Sequence, residues 1–219
     1  MIENHNNFKN NRYLLIKSMV PSDICKIATK YALLQEEVDF TPEDDEHAQV
    51  RGSHSRYSDL LMETLQFFLL PKMEKATGLS LFPTYTYYRI YRPGHELTRH
   101  KDRPSCEIST TILLGKLYNI KNLNYNWGMY VDKDSYNTPL EADGNFIVGN
   151  NPGTMLKQEI GDAIIYRGCD IEHWRDPMQG DHGTYQVQAF FHYIDKNGPF
   201  YPEYAYDKRK GLGYKSGCK

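Results

Sequence analysis

Apolar and polar positions change their period partway along the chain. In the first third, Ile24, Ile27, Tyr31 and Leu34 recur at helical spacing behind Pro21-Ser22-Asp23, which offers an N-cap and an early acid. A polar stretch from Thr41 to Ser55, with Pro42, Gly52 and the acids Glu43 to Glu46, reads as a surface loop. Ser58-Asp59 then caps a second amphipathic helix carrying Leu61, Leu65, Phe68 and Leu69. Pro71 is expected to kink or restart that helix and Gly78 to end it. From Thr84 the period becomes two: Tyr85, Tyr87, Arg89 and Tyr91 alternate with Thr86, Tyr88, Ile90 and Arg92, before the turn signal Pro93-Gly94. Further strand candidates are Glu107–Leu114, Trp127–Val131, Thr154–Gln158, Asp162–Tyr166, Ile171–Trp174 and Tyr185–Ile194. Turns at Asp143-Gly144-Asn145 and from Gly149 to Gly153 separate some of them. Helices followed by many short strands predict a sandwich or barrel with helices packed on one sheet.

Composition narrows this picture without redirecting it. The 219 residues suit one domain, and 40% hydrophobic with 13% aromatic content suffices for a packed core. The formal charge of -2 offers no bulk attraction to nucleic acid or an anionic membrane. No apolar run is long enough to span a bilayer, and no signal peptide is seen, so a cytoplasmic protein is expected. Cys25, Cys106, Cys169 and Cys218 form no CxxC pair and read as reduced thiols.

The chemistry is carried by two segments. Tyr91-Arg-Pro-Gly-His-Glu-Leu-Thr-Arg-His100-Lys-Asp102 ends in His-x-Asp, and residues two apart on a strand project to one face. Gly161-Asp162 opens a second segment that runs through a buried-looking strand to His173-Trp-Arg175. Two imidazoles and a carboxylate on one face leave coordination positions open, which suits iron(II), although zinc can use the same three donors.

In the order of these elements, Tyr91 with Pro93-Gly94, then His100-x-Asp102, then Gly161-Asp162 and His173, the chain resembles the prolyl-hydroxylase-like branch of the 2-oxoglutarate/iron(II) dioxygenases over residues 84–195. The resemblance implies a mainly β fold, a double-stranded β-helix of jelly-roll or cupin-like form with N-terminal helices on its major sheet. Residues 1–83 would then be a helical support region, 84–195 the catalytic core and 196–219 a C-terminal extension of the same domain. It implies iron(II) on His100, Asp102 and His173, with 2-oxoglutarate and dioxygen as co-substrates and ascorbate as an accessory reductant. Tyr91 would meet the co-substrate. The expected reaction hydroxylates a C–H bond of a peptidyl, prolyl-type or small-molecule substrate and releases succinate and carbon dioxide. The Asp102 carboxylate fills the position that halogenases leave for chloride, which favours hydroxylation.

The chain departs from the family at the distal carboxylate of 2-oxoglutarate. The final strand places Gln186 where an Arg or Lys is usual, and an amide cannot balance the charge. Arg175, two residues after His173, is the replacement candidate, with Lys116 and Arg89 as alternatives and a salt bridge to Asp176 or Glu172 as its bland role. Arg103 is read as orienting Asp102 or contacting substrate, and Trp127 and Tyr130 as pocket walls or core. His95, His182 and His192 read as packed or surface histidines, and Cys106 and Cys169 as packed thiols. A zinc-dependent hydrolase and a non-catalytic cupin-like binding protein remain the competing classes.

Overall fold

A computed structural model describes residues 2–40, 49–137 and 148–214. The chain runs α1 (Ile2–Asn11), β1 (Tyr13–Ile16), α2 (Ser22–Val38), β2 (His54–Tyr57), α3 (Leu60–Thr77), β3 (Leu81–Tyr91), β4 (Leu97–His100), β5 (Ile108–Leu117), β6 (Met129–Asp132), β7 (Thr154–Leu156), β8 (Ala163–Tyr166), β9 (Glu172–Arg175) and β10 (Tyr185–Asp195). Six strands form a major sheet in the order β1-β8-β5-β10-β3-β2, and four form a minor sheet, β4-β9-β6-β7. Every pairing is antiparallel. This is the double-stranded β-helix that the family resemblance implied, and it meets the sandwich or barrel expected from the strand pattern.

Alternation along β3 and β10 assigns the two faces of the major sheet. Tyr88, Ile90, Val187, Ala189, Phe191 and Tyr193 join Cys25, Ala28, Ala32, Met62, Leu69 and Met73 in the core beneath the helices. The alternate residues, including Tyr85, Tyr87, Arg89, Phe190 and His192, face inward and line a cavity between the sheets. Each strand therefore separates an apolar packing face from a polar, chemistry-bearing one.

Several sequence expectations are corrected. The buried face of α2 is Cys25, Ala28 and Ala32, whereas Ile24, Ile27 and Leu34 are 38%, 61% and 42% exposed. The helix approaches β5 closely at Gly115, where an added Cβ would lie 2.4 Å from Thr29 Oγ1. Close approach selects small residues, so the stripe of large side chains marks the opposite side. The polar stretch taken as a loop contains β2 at its end, pairing His54–Tyr57 with β3; residues 41–48 lie outside the described residues, as do Asp143-Gly144-Asn145 and Cys218. Helix α3 runs unbroken through the exposed Pro71, where water can take the carbonyl that loses its partner. Its ends are as expected. Asp59 accepts from the N–H groups of Leu61 and Met62 at 3.0 and 3.2 Å, and Gly78 terminates the helix at φ +75°. Strand β1 and helix α1 had no signal in the pattern.

Beyond β10 the chain folds back over α3 and β3. Arg209 donates to Glu63 at 2.7 Å and to the Thr84 carbonyl at 2.9 Å, both charged side chains being almost fully buried. Arg103 donates to Asp207 through both terminal nitrogens at 2.6 and 2.8 Å.

Candidate metal centre

Strand register brings His100 and His173 together: they are direct partners across β4 and β9, with ring centroids 4.3 Å apart. Asp102 arrives differently from the expectation. Strand β4 ends at His100, and Asp102 sits in the following coil, its backbone N–H donating to the Gly168 carbonyl at 2.8 Å. Gly168 is also where the carboxylate fits, because a Cβ there would lie 2.3 Å from Asp102 Oδ2. The result is the convergence that the pleat was expected to supply. Asp102 Oδ1 lies 3.5 Å from Nε2 of each histidine, and the three ligand atoms fall within 4.8 Å of one another.

The tautomers suit a cation. His100 Nδ1 lies 2.7 Å from the Thr98 carbonyl and His173 Nδ1 lies 3.1 Å from the Ile171 carbonyl. A carbonyl only accepts, so each Nδ1 carries the proton and each Nε2 offers its lone pair to the common point. The Gln49 amide supplies a donor to His100 Nε2 at 2.9 Å, consistent with that assignment. Burial opposes ionisation of Asp102, but the adjacent His173 and His100 outweigh it and hold the carboxyl well below its ordinary range. Burial likewise works against protonation of His100, yet its contact with Asp102 raises the pKa overall.

The group faces a cavity of about 250 Å³ walled by Tyr85, Tyr87, Tyr166 and Phe190, with Gln49, Arg89 and His192 as polar lining. The expected co-substrate residues Tyr91, Arg175 and Gln186 are not part of that lining. Arg175 is 1% exposed and shares the inner face of β9 with His173. Its Nη1 donates to the Trp127 carbonyl at 3.0 Å and its Nη2 to Gln158 Oε1 at 3.3 Å, while Nε has no partner. Among the described residues no carboxylate pairs with it. Glu172 points to the opposite face, where Arg99 and the Gly149 N–H engage it. Burial alone pulls the Arg175 pKa down.

Tyr91 is fully buried, edge-on to Trp127 at 4.7 Å, and its hydroxyl accepts from Arg89 at 3.4 Å. Gln186 is buried in a polar chain: Tyr118 donates to its Oε1, and its Nε2 donates to Gln188 Oε1 at 3.0 Å. Gln188 in turn donates to Thr111 and Gln158 at 2.6 and 3.0 Å. Lys116 is turned toward Glu159, at 2.9 Å. Arg103 reaches Asp207 and covers the Tyr85 ring, and Tyr130 stacks on Trp174 away from the cavity. His192 is a packed histidine that also lines the cavity, and its Nδ1 lies 2.8 Å from Ser109 Oγ. Burial lowers its pKa to about 4. Its period-two alternation with Gln186, Gln188 and Phe190 was the available signal; Gly168, Ser109 and Gln158 had none.

A prolyl-4-hydroxylase from Pseudomonas putida superposes with a TM-score of 0.57 at 12% identity, covering 87% of this chain and 97% of its own. A Burkholderia pseudomallei oxidoreductase of the 2OG-Fe(II) oxygenase family gives 0.59 at 11%, over 90% and 92%. The chain has the 2-oxoglutarate/iron(II) oxygenase fold. The same fold, at a TM-score of 0.67 and 10% identity over 98% and 91% of the chains, holds the epimerase SnoN of nogalamycin biosynthesis in complex with ferric iron, alpha-ketoglutarate and nogalamycin RO. No protein-family model and no curated protein matches the sequence. At these identities the likeness is one of fold.

Proposed function

We propose that the chain is an iron(II)- and 2-oxoglutarate-dependent oxygenase in which His100, Asp102 and His173 hold the metal. The observation that carries this reading is the convergence of two Nε2 lone pairs and one carboxylate oxygen on a point beside a cavity between the sheets. Three donors grouped on one side leave room for a chelating co-substrate and dioxygen. When bound, iron would bring 2-oxoglutarate and dioxygen together: dioxygen is the oxidant, and 2-oxoglutarate would give two of the four electrons that reduce it, leaving as succinate and carbon dioxide.

Arg175 favours an acidic co-substrate over the zinc-hydrolase and cupin-like readings. A buried guanidinium without a carboxylate partner is costly unless an anion joins it. Its position two residues from His173 suits the distal carboxylate of 2-oxoglutarate, with Tyr91 and Gln186 contributing neutral hydrogen bonds. The cavity takes a group of side-chain size walled by aromatic rings. Hydroxylation of a peptidyl residue such as proline, or of a small molecule, is the reaction proposed.

Anaerobic addition of iron(II) and then 2-oxoglutarate should give the weak visible charge-transfer band of the chelate. Asp102→Ala should abolish the band and succinate formation, and full retention of both would overturn the ligand assignment. Arg175→Gln should keep metal binding and weaken 2-oxoglutarate about ten- to a hundredfold, the value of a charged hydrogen-bonded pair. Unchanged affinity would remove Arg175 from the role.

A further inference from the structure

The carboxylate of Asp102 has two oxygens, and the structure treats them differently. Oδ1 faces His100 and His173, each at 3.5 Å. Oδ2 accepts from Ser109 Oγ at 3.2 Å, and Ser109 Oγ lies 2.8 Å from His192 Nδ1. Ser109 and His192 are both buried and belong to paired strands, β5 and β10, in which they are direct register partners. A serine hydroxyl has one proton to give. Its candidate acceptors are the Asp102 carboxylate, the Cys106 carbonyl at 3.1 Å and, in one tautomer, His192 Nδ1, of which the charged group is the strongest. The hydroxyl therefore donates to Asp102 and receives the Nδ1 proton of His192, whose ring is held in turn by Tyr85 at 4.5 Å. Asp102, Cys106 and His192 also lie close enough to resemble a second ligand group, but Asp102 is shared with the first and Ser109 engages Nδ1.

We infer that Ser109 and His192 are positioning residues, a hydrogen-bond relay from the centre of the major sheet that ties back one oxygen of Asp102 so that the other alone is offered to the metal. The inference rests on reading His100, Asp102 and His173 as the ligands. Relays of this kind fix a ligand's orientation and typically account for about ten- to a hundredfold in metal affinity.

Cobalt(II), titrated into the metal-free 219-residue chain and followed by its visible absorption, is the probe. Wild type is expected to bind one equivalent. Ser109→Ala and His192→Phe are each expected to weaken binding about ten- to a hundredfold and to alter the cobalt spectrum. His192→Asn, whose amide can place an N–H near the original Nδ1, is expected to restore most of the affinity and the wild-type spectrum. Thr110→Ala, one residue along on the opposite face of β5, is expected to leave both unchanged. Circular dichroism identifies any variant that fails to fold, and the remaining variant of the loss pair then decides. Wild-type affinity in a folded Ser109→Ala or His192→Phe protein overturns the relay and leaves the ligand assignment standing. Failure of wild type itself to bind cobalt overturns the ligand assignment, and the relay with it.

Discussion

His192 shows what burial does to one side chain. With its pKa lowered to about 4 from an ordinary 6.5, it is neutral in the fold at pH values where the unfolded chain would protonate it. Between about pH 6.5 and 4 the unfolded state thus binds more protons, and stability falls as pH falls through that window. The contribution at stake is on the order of 2–3 kcal/mol. Urea unfolding of the metal-free protein at pH 7 and pH 4.5 should show a loss that is smaller in His192→Gln; equal losses would exclude His192 as the cause. At this scale the grouping of His100, Asp102 and His173 was legible, because His-x-Asp followed by a later histidine after a Gly-Asp strand is a pattern with few chemical uses. Ser109 and Gly168 were not. Their roles depend on which strands become neighbours, and nothing in a serine or glycine announces a carboxylate beside it.

Elements were legible where an alternation had to serve two faces. Strands β3 and β10 read clearly because one face packs on helices and the other lines a cavity. Helix α2 misled, since contact made through Cys25, Ala28 and Ala32 has no large residue to mark it. Short edge elements such as β1 and β2 borrow their conformation from β8 and β3, and so carry little signal of their own. Two glycines test the element contacts. Gly115→Ala should lower stability by about 1–3 kcal/mol, because the new methyl meets Thr29 at 2.4 Å and α2 must lift from β5. Gly168→Ala should disturb the proposed metal site more than the fold, since the displaced group includes the Asp102 carboxylate. A thermal melt with and without cobalt distinguishes the two effects.

At the scale of the whole molecule, the chain's last described segment ties α3 to β3 of the major sheet. Breaking the buried Arg209–Glu63 pair by Arg209→Ala leaves a carboxylate stranded under the tail and should cost about 3–5 kcal/mol in denaturant unfolding. A loss below 1 kcal/mol would mean that the tail is not part of the cooperative unit. The sheet order carries a further consequence. Strand β10 is the last to be made, yet it lies between β5 and β3 at the middle of the major sheet. A nascent chain on the ribosome therefore holds two strands with unsatisfied backbone edges until residue 195 has emerged, and the barrel can close only then. Premature termination before Tyr185 would release a polypeptide prone to associate through those edges, leaving chaperone capture or degradation as its fate.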